Sequence, residues 1–417
     1  MALPWPARAA GPRWWARTAR SAARHPGTSP RGRARKVPKA ESSRAHCRHI
    51  GDPIVATLTQ VASVRLATDE QDLLERARQG DERAFGALVA PYRAELHAHC
   101  YRMLASFHDA EDALQDALVR AWRSLKGFEG RSSLRAWLYK IATNAAMSIA
   151  QRRSRRELPV SYGPPAGSGE RPGAGLAETM WLEPYPDQWL GPRPAGSPEA
   201  HYEQQESLEL AFIAALQQLP PLQRAALILR EVLGFSAQEV AEQVGTSVPA
   251  VTSALQRARA ATEYRVPRPS QQATLRSLGD KRTRELVESY VAALERADTP
   301  ALVRMLAEDV AWAMPPLPTW YRGREAVAEF LTHVGFNERW RHVPTRANGQ
   351  LALGCYTLDP VTGRWVASAL DLLRLEDDKV AESDYFITSE LLRRWGSGGG
   401  LVGAEVFPLF GLPAELH

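Results

Sequence analysis

The stretch "SAQEVAEQVGTSVPAVTSALQRARAATEY", Ser236 to Tyr264, reads as a short helix, a turn and a longer helix. Ser236 is placed to cap the first helix, and Glu239 three residues on completes a capping box. "GTS" turns the chain through Gly245, and Pro249 falls in the first turn of the second helix, where proline is tolerated. These are the dimensions of a helix-turn-helix, whose second helix enters a DNA groove. Its outward residues are Thr246, Ser247, Thr252, Ser253, Gln256, Arg257 and Arg259. Hydroxyls and amides suit base edges and phosphates, and arginines suit phosphate or guanine. Short helical hairpins also occur as plain packing, so the rest of the chain has to decide.

A second stretch, "LRAWLYKIATNAAMSIAQRRSRR", Leu134 to Arg156, is helical by period. Leu134, Trp137, Leu138, Ile141, Ala145 and Ile149 recur three or four apart and give one apolar face. Arg135, Lys140, Thr143, Asn144 and Ser148 occupy the other, and the end carries Arg152, Arg153, Arg155 and Arg156. A helix C-terminal dipole attracts one or two cations. Four call for another explanation, and phosphate binding supplies one.

The net charge of +5 misleads. Residues 1–50 hold twelve Lys or Arg against the single acid Glu41, a balance of +11, so the remainder carries 5 − 11 = −6. A nucleic-acid surface must therefore be local. The segment 1–65 is rich in Arg, Ala, Pro and Ser without periodicity. It fits a transit peptide or a basic arm, but regular periodicity begins abruptly near Val64, which favours a start assigned too far upstream. Cys47, Cys100 and Cys355 are too few and too scattered for a disulfide framework or a zinc site, and suit a reducing cytosol. No run of about 18 apolar residues exists, so no membrane partner is expected. No cofactor is implied.

Residues 66–157 read as helical throughout. Two helices break around Gln79-Gly80-Asp81, with Thr68 or Asp69 as an N-cap, and "DAEDALQDALVRAWRSL" follows. Residues 158–200 are a Pro/Gly-rich linker holding "WLEPYPDQWL", too aromatic to be inert. Residues 201–266 are helical again. After "VPRPSQQ", residues 280–395 mix helices with a hairpin around Glu-Asp-Asp-Lys, an α+β arrangement. Residues 396–417 read as a flexible tail ending in the apolar patch "VFPLFGL". The expected fold is thus two all-α domains followed by an α+β domain.

The order of these parts resembles the sigma-70 family of RNA polymerase sigma factors, in its extracytoplasmic-function group. "DAEDALQDALVRAW" is similar to the family's core-polymerase-binding helix, and "FEGRSSLRAWLYKIATNAA" to its promoter-melting and −10-reading segment. "LQQLPPLQRAALILREVLGFSAQEVAEQVGTSVPAVTSALQRARA" is similar to its −35-reading domain. The resemblance implies that Asp109, Asp112, Gln115 and Asp116 dock on the β′ clamp helices of the polymerase core, with further contacts to the β subunit. It implies that the loop Phe128 to Ser133, including Arg131 and Ser132, holds a flipped promoter base with Lys140 and Asn144. Arg152, Arg153, Arg155 and Arg156 then hold duplex phosphates, and the linker threads toward the RNA exit path. Trp137, on the apolar stripe, belongs to the core.

Residues 280–395 resemble the SnoaL-like cone fold, on element order and "VAALERADTPALVRMLAEDVAW". Some relatives of that fold are enzymes. Asp309, His333, His342, Asp371 and Asp384 are available here, but no spacing pairs them, and they read as surface and turn residues. Trp312, Trp320, Tyr321, Trp340, Tyr356 and Trp365 are expected to line a pocket for a small apolar ligand, or equally to pack a core. The resulting expectation is a non-enzymatic initiation factor regulated by its fused domain. The alternative is a helix-turn-helix regulator fused to a SnoaL-type cyclase or isomerase.

Overall fold

The computed structural model describes residues 69–176, 181–190, 198–395 and 403–416. Thr68, Val64 and Cys47 lie outside the described residues, so the expectations for the basic segment rest on sequence alone. The described residues 69–91 belong to one unit. Of it, a helix over 69–78 (α1) and α2, Glu82–Val89, are described. Asp81 caps α2 by accepting from the backbone N–H groups of Arg83 and Ala84 at 3.0 Å each. Asp69 lies inside α1 rather than capping it.

The second unit holds the described residues from Tyr92 onward. Its first layer is α3 (Arg93–Leu104), α4 (Phe107–Ser124) and α5 (Leu134–Arg152), which pack mutually around Tyr101, Met103, Leu114, Ala121, Leu138 and Ala142. Small side chains on α4, Ala110, Ala113, Ala117 and Ala121, are all buried and let its neighbours approach closely. Thr143, expected on the wet face of α5, is instead buried with its hydroxyl 2.8 Å from His99 Nε2. A buried hydroxyl needs a partner, and this ring supplies it.

The linker is not inert. A short helix α6 (Pro159–Tyr162) follows α5, and Trp181, Leu182 and Tyr185 are fully buried. His97 sits among the rings of Phe107, Tyr185 and Trp189 at 4.8, 5.5 and 5.1 Å between centroids, and burial pushes its pKa down to about 4. "WLEPYPDQWL" is therefore a packed strap across α3 and α4.

The next helices are α7 (Pro198–Glu206), α8 (Leu210–Gln217), α9 (Pro221–Leu227), α10 (Ala237–Val244) and α11 (Val248–Thr262). A π-helical turn over Ile228–Val232 extends α9 before Gly234 ends it with φ +77°. The capping box at Ser236 and Glu239 forms as the residues predict, and Gly245 turns the chain at φ +69°.

The C-terminal part is a mixed sheet wrapped by helices. Its elements are α12 (Gln271–Glu295), α13 (Thr299–Met305), β1 (Leu306–Ala313), β2 (Trp320–Arg322), α14 (Arg324–His333), β3 (Trp340–Ala347), β4 (Gln350–Leu358), β5 (Trp365–Glu376), β6 (Lys379–Ile387), α15 (Ser389–Arg394) and β7 (Glu415–Leu416). The strand order is β2-β1-β6-β5-β4-β3, with β7 on β5; β1 and β6 run parallel and the other pairs antiparallel. Leu286, Tyr290, Trp312, Leu353, Leu373 and Tyr385 belong to its core. The end of the chain, expected to be a flexible tail, packs instead: Val406, Phe407, Phe410 and Leu412 are buried, and Leu412 covers Gly354. Four large apolar side chains within seven residues leave water together when they find such a surface.

Candidate polymerase and promoter interface

Along α4 the residues expected to dock on polymerase divide. Asp112, Gln115 and Asp116 are exposed on one face, beside Val119, itself 47% exposed. Their bonds are local, Gln115 to Glu111 at 3.0 Å and Asp116 to Arg120 at 2.6 Å. Such pairs are easily exchanged for a partner's charges. Asp109 does not share this face. It is buried at 4% exposure and receives both Arg153 and Arg156, the latter at 2.9 Å.

Arg156 is corrected for the same reason. It is 6% exposed, bonds Glu183 at 3.3 Å as well as Asp109, and donates to the carbonyl of Trp181 at 2.8 Å. The arginine ties α4, the end of α5 and the strap together, and holds no phosphate in this arrangement. Arg152, Arg153 and Arg155 are exposed; Arg155 donates to Gln218 Oε1 at 2.8 Å.

The loop before α5 carries an exposed run, Arg131, Ser132 and Ser133, with Lys140 exposed two turns on. Ser133 caps α5, accepting from Ala136 N at 3.1 Å. Phe128 is 7% exposed and lies 5.0 Å from the half-buried ring of Trp137. These side chains line a cleft of about 690 Å³ whose opposite wall is Glu239, Glu242 and Gln243 of α10. Trp137, expected only in the core, is thus also part of a wall. Asn144 is half-buried on α5 and does not line this cleft.

On α11, Thr252, Ser253, Gln256, Arg257 and Arg259 are exposed, while Val251, Ala254, Leu255 and Ala258 are buried. This is the alternation the sequence predicts for a helix with one face free. Ser247 is exposed and caps the helix, Thr246 is half-buried, and Arg259 pairs with Glu231.

In the C-terminal domain the expected pocket does not assemble from all six aromatics. Trp312 and Trp340 line a small apolar cavity with His342 and Tyr385. Trp320 instead donates to the Gly163 carbonyl, Tyr321 to that of Glu170 and Tyr356 to that of Pro413, while Trp365 lies under Arg341. The cavity has about 30 Å³ of room, enough for about one water. Ligand sites are commonly about 300 Å³ or more. Asp309 and His333 are exposed as expected, but His342, Asp371 and Asp384 are buried strand residues. Asp371 bonds Ser383 Oγ at 2.8 Å, and burial pushes its pKa up to about 8. Strand pairing across many residues buried them, and no local pattern announced it.

Residues 88–156 match the sigma-70 region 2 family, 209–261 sigma-70 region 4, and 287–383 the SnoaL-like domain. The ECF RNA polymerase sigma factor SigG of Mycobacterium tuberculosis is 38% identical over 342 residues, 81% of this chain and 86% of that protein. The RNA polymerase sigma-H factor of Pseudomonas aeruginosa is 34% identical over 200 residues, 48% of this chain and 95% of that one. Among solved structures, the M. tuberculosis extracytoplasmic function sigma factor SigJ aligns with a TM-score of 0.48 at 22% identity, covering 74% of this chain and 99% of that one. The described helices offer no span long and apolar enough to cross a membrane. A helical region 2, a helix-turn-helix region 4 and a fused SnoaL-like domain define a class of transcription factor. The chain belongs to the extracytoplasmic-function sigma factors.

Proposed function

We propose that the chain binds core RNA polymerase in the cytoplasm through Asp112, Gln115 and Asp116. It reads a melted −10 element through Phe128, Arg131, Ser132, Ser133, Lys140 and Asn144, and a −35 duplex through α11. Arg152, Arg153 and Arg155 contact backbone phosphates. The protein acts without catalysis, and its C-terminal domain governs when regions 2 and 4 separate. The observation that carries this reading is the coexistence of two free faces, the acidic one on α4 and the polar one on α11, with a −10 loop that faces the acids of α10 across a cleft. Glu239 and Glu242 stand opposite Arg131 and Lys140, where promoter phosphates would otherwise lie.

The β3–β4 hairpin supplies the hold. Asn348 at its tip is fully buried in the rest of the unit. Its Oδ1 accepts from Tyr185 N at 2.7 Å, its Nδ2 donates to the Leu208 carbonyl and the Tyr101 hydroxyl at 2.8 Å each, and its own N–H donates to the Tyr185 carbonyl at 2.8 Å. One side chain thereby touches region 2, the strap and the entry to region 4. Gly349 follows at φ +68°, and an added Cβ would meet the Gln205 carbonyl at 2.9 Å, so only glycine fits.

The same junction carries a pH dependence. Glu209 accepts from Gln272 N at 3.0 Å, and burial pushes its pKa up to about 7, with the nearby Glu206 adding to the rise and Arg374 opposing it. An acid whose folded pKa lies above its free value of 4.5 holds its proton more tightly when docked. Docking is therefore strongest below about pH 4.5 and weakens as pH rises through 7. Amide exchange at Gln271 and Gln272 should quicken over that range beyond its intrinsic rise, and Glu209→Gln should flatten the excess. A flat excess in the parent protein would remove Glu209 from the junction.

Run-off transcription with core polymerase tests the function. Asn144→Ala should weaken open-complex formation and spare core binding. Asp112→Arg with Asp116→Arg should abolish core capture by charge clash. Equal core capture by both variants would defeat the docking assignment.

A further inference from the structure

Arg224 of α9 is 6% exposed, yet it has no carboxylate within ion-pair distance among the described residues. Its guanidinium is held by neutral oxygens: the carbonyls of Met103, Gln217 and Leu219, and Gln217 Oε1 at 2.6 Å. Its Nε–H has no partner among the described residues. A buried cation without a counter-ion is costly, and carbonyl dipoles offset only part of that cost. Burial, then the charge of Arg155, pulls its pKa down to about 10.

Arg224 lines a cleft of about 250 Å³ between the end of α5 and the start of α9. Arg155 lines it too, bonded to the neutral Gln218 and 3.9 Å from Glu157. Arg153 and Arg156 complete the rim, with Asp109 as the one carboxylate among the lining residues. Asp109 is already shared between these last two. Arg155, half exposed and only at the edge of ion-pair distance from Glu157, and Arg224, without a carboxylate among the described residues, both line this space. That space matches roughly eight waters at ~30 Å³ each, room for two or three linked phosphate groups but not for the rod of a duplex.

We propose that this cleft binds a small oligophosphate, inorganic or the tail of a nucleoside polyphosphate, between Arg155 and Arg224. Arg155 supplies charge-assisted hydrogen bonds to phosphate oxygens, while Arg224, whose terminal N–H groups are already taken by the four oxygens above, adds its uncompensated charge. The anion bridges the end of region 2 to the start of region 4. It therefore favours the arrangement seen here and competes with promoter backbone for Arg153 and Arg155. The binding itself stands without the functional reading above.

Calorimetric titration of the full chain with sodium tripolyphosphate, at ionic strength fixed with KCl, tests it. One saturable site is expected. Arg155→Ala should weaken it about tenfold, which corresponds to about 1.4 kcal/mol. Arg123→Ala, an exposed charge on α4 away from the cleft, should bind within about twofold of the parent by the same scale. Arg224→Gln should also weaken binding; if it fails to fold, Arg155→Ala alone decides. Absence of saturation, equal loss with Arg123→Ala, or equal binding of sulfate would overturn the site. A short DNA duplex titrated in parallel separates the phosphate sources. If Arg155→Ala weakens the duplex and leaves tripolyphosphate untouched, the arginines are backbone contacts and the proposal fails.

Discussion

Asp109→Ala should lower the stability of the region 2 helices by about 3–5 kcal/mol. The size follows from what remains. Arg156, 6% exposed, would keep Glu183 at 3.3 Å and lose its 2.9 Å partner, while Arg153 would lose its carboxylate altogether. A buried charge stripped of its counter-ion is far costlier than an exposed pair broken, which is worth about 0–1 kcal/mol. Adding Arg156→Met should recover part of the loss, because it removes the stripped cation, while Glu183 loses the arginine but keeps His108 at 2.9 Å. Urea unfolding followed by far-ultraviolet circular dichroism measures both variants. A loss below about 1 kcal/mol would show that Asp109 behaves as a surface acid.

Asn348→Ala should release the C-terminal domain from regions 2 and 4 and raise transcription from a target promoter. The substitution leaves the Tyr185 N–H and the Leu208 carbonyl without their partners in a buried seam. Each orphaned group costs about 1–3 kcal/mol, so the docked arrangement loses roughly 2–6 kcal/mol in all. Protection of the Tyr185 amide against hydrogen exchange should fall by at least about tenfold, one factor of ten for each 1.4 kcal/mol. Asn348→Asp, which keeps the acceptor and loses the donor, should fall between. Unchanged protection would show that other contacts hold the seam. Faster exchange with unchanged transcription would separate docking from regulation.

Legibility in the sequence followed the range of each interaction. The helix-turn-helix could be read because its signals are local: Ser236 and Glu239 are three residues apart, and Gly245 and Pro249 mark the turn and the restart. The exposed face of α11 came with the same period. The role of Arg156 is illegible in the sequence because its partners lie 47 residues before it and 27 after, and four arginines within five residues look alike from composition. Strand β4 was missed because every residue from Gln350 to Thr357 is buried, which erases the alternation that marks a half-buried strand. Asp371 and Asp384 looked like surface acids since nothing near them in sequence reveals the sheet that encloses them. The strap announced itself by its aromatics, but only packing could show where Trp181 and Tyr185 go.

The tip of the β3–β4 hairpin has a kinetic meaning. Asn348 and Gly349 are both in the left-handed region, at φ +54° and +68°, the pairing that a two-residue turn between antiparallel strands requires. The turn is thus built by the strands behind it and keeps its shape whether or not anything is gripped. A preshaped key loses little freedom on entering its lock, so recapture after a brief escape is fast. Withdrawal, by contrast, breaks the bonds to Tyr101, Tyr185 and Leu208 in one movement, with no half-way stop that keeps some of them. Release of this factor should therefore look like a latch snapping open, rare and complete, rather than a gradual loosening.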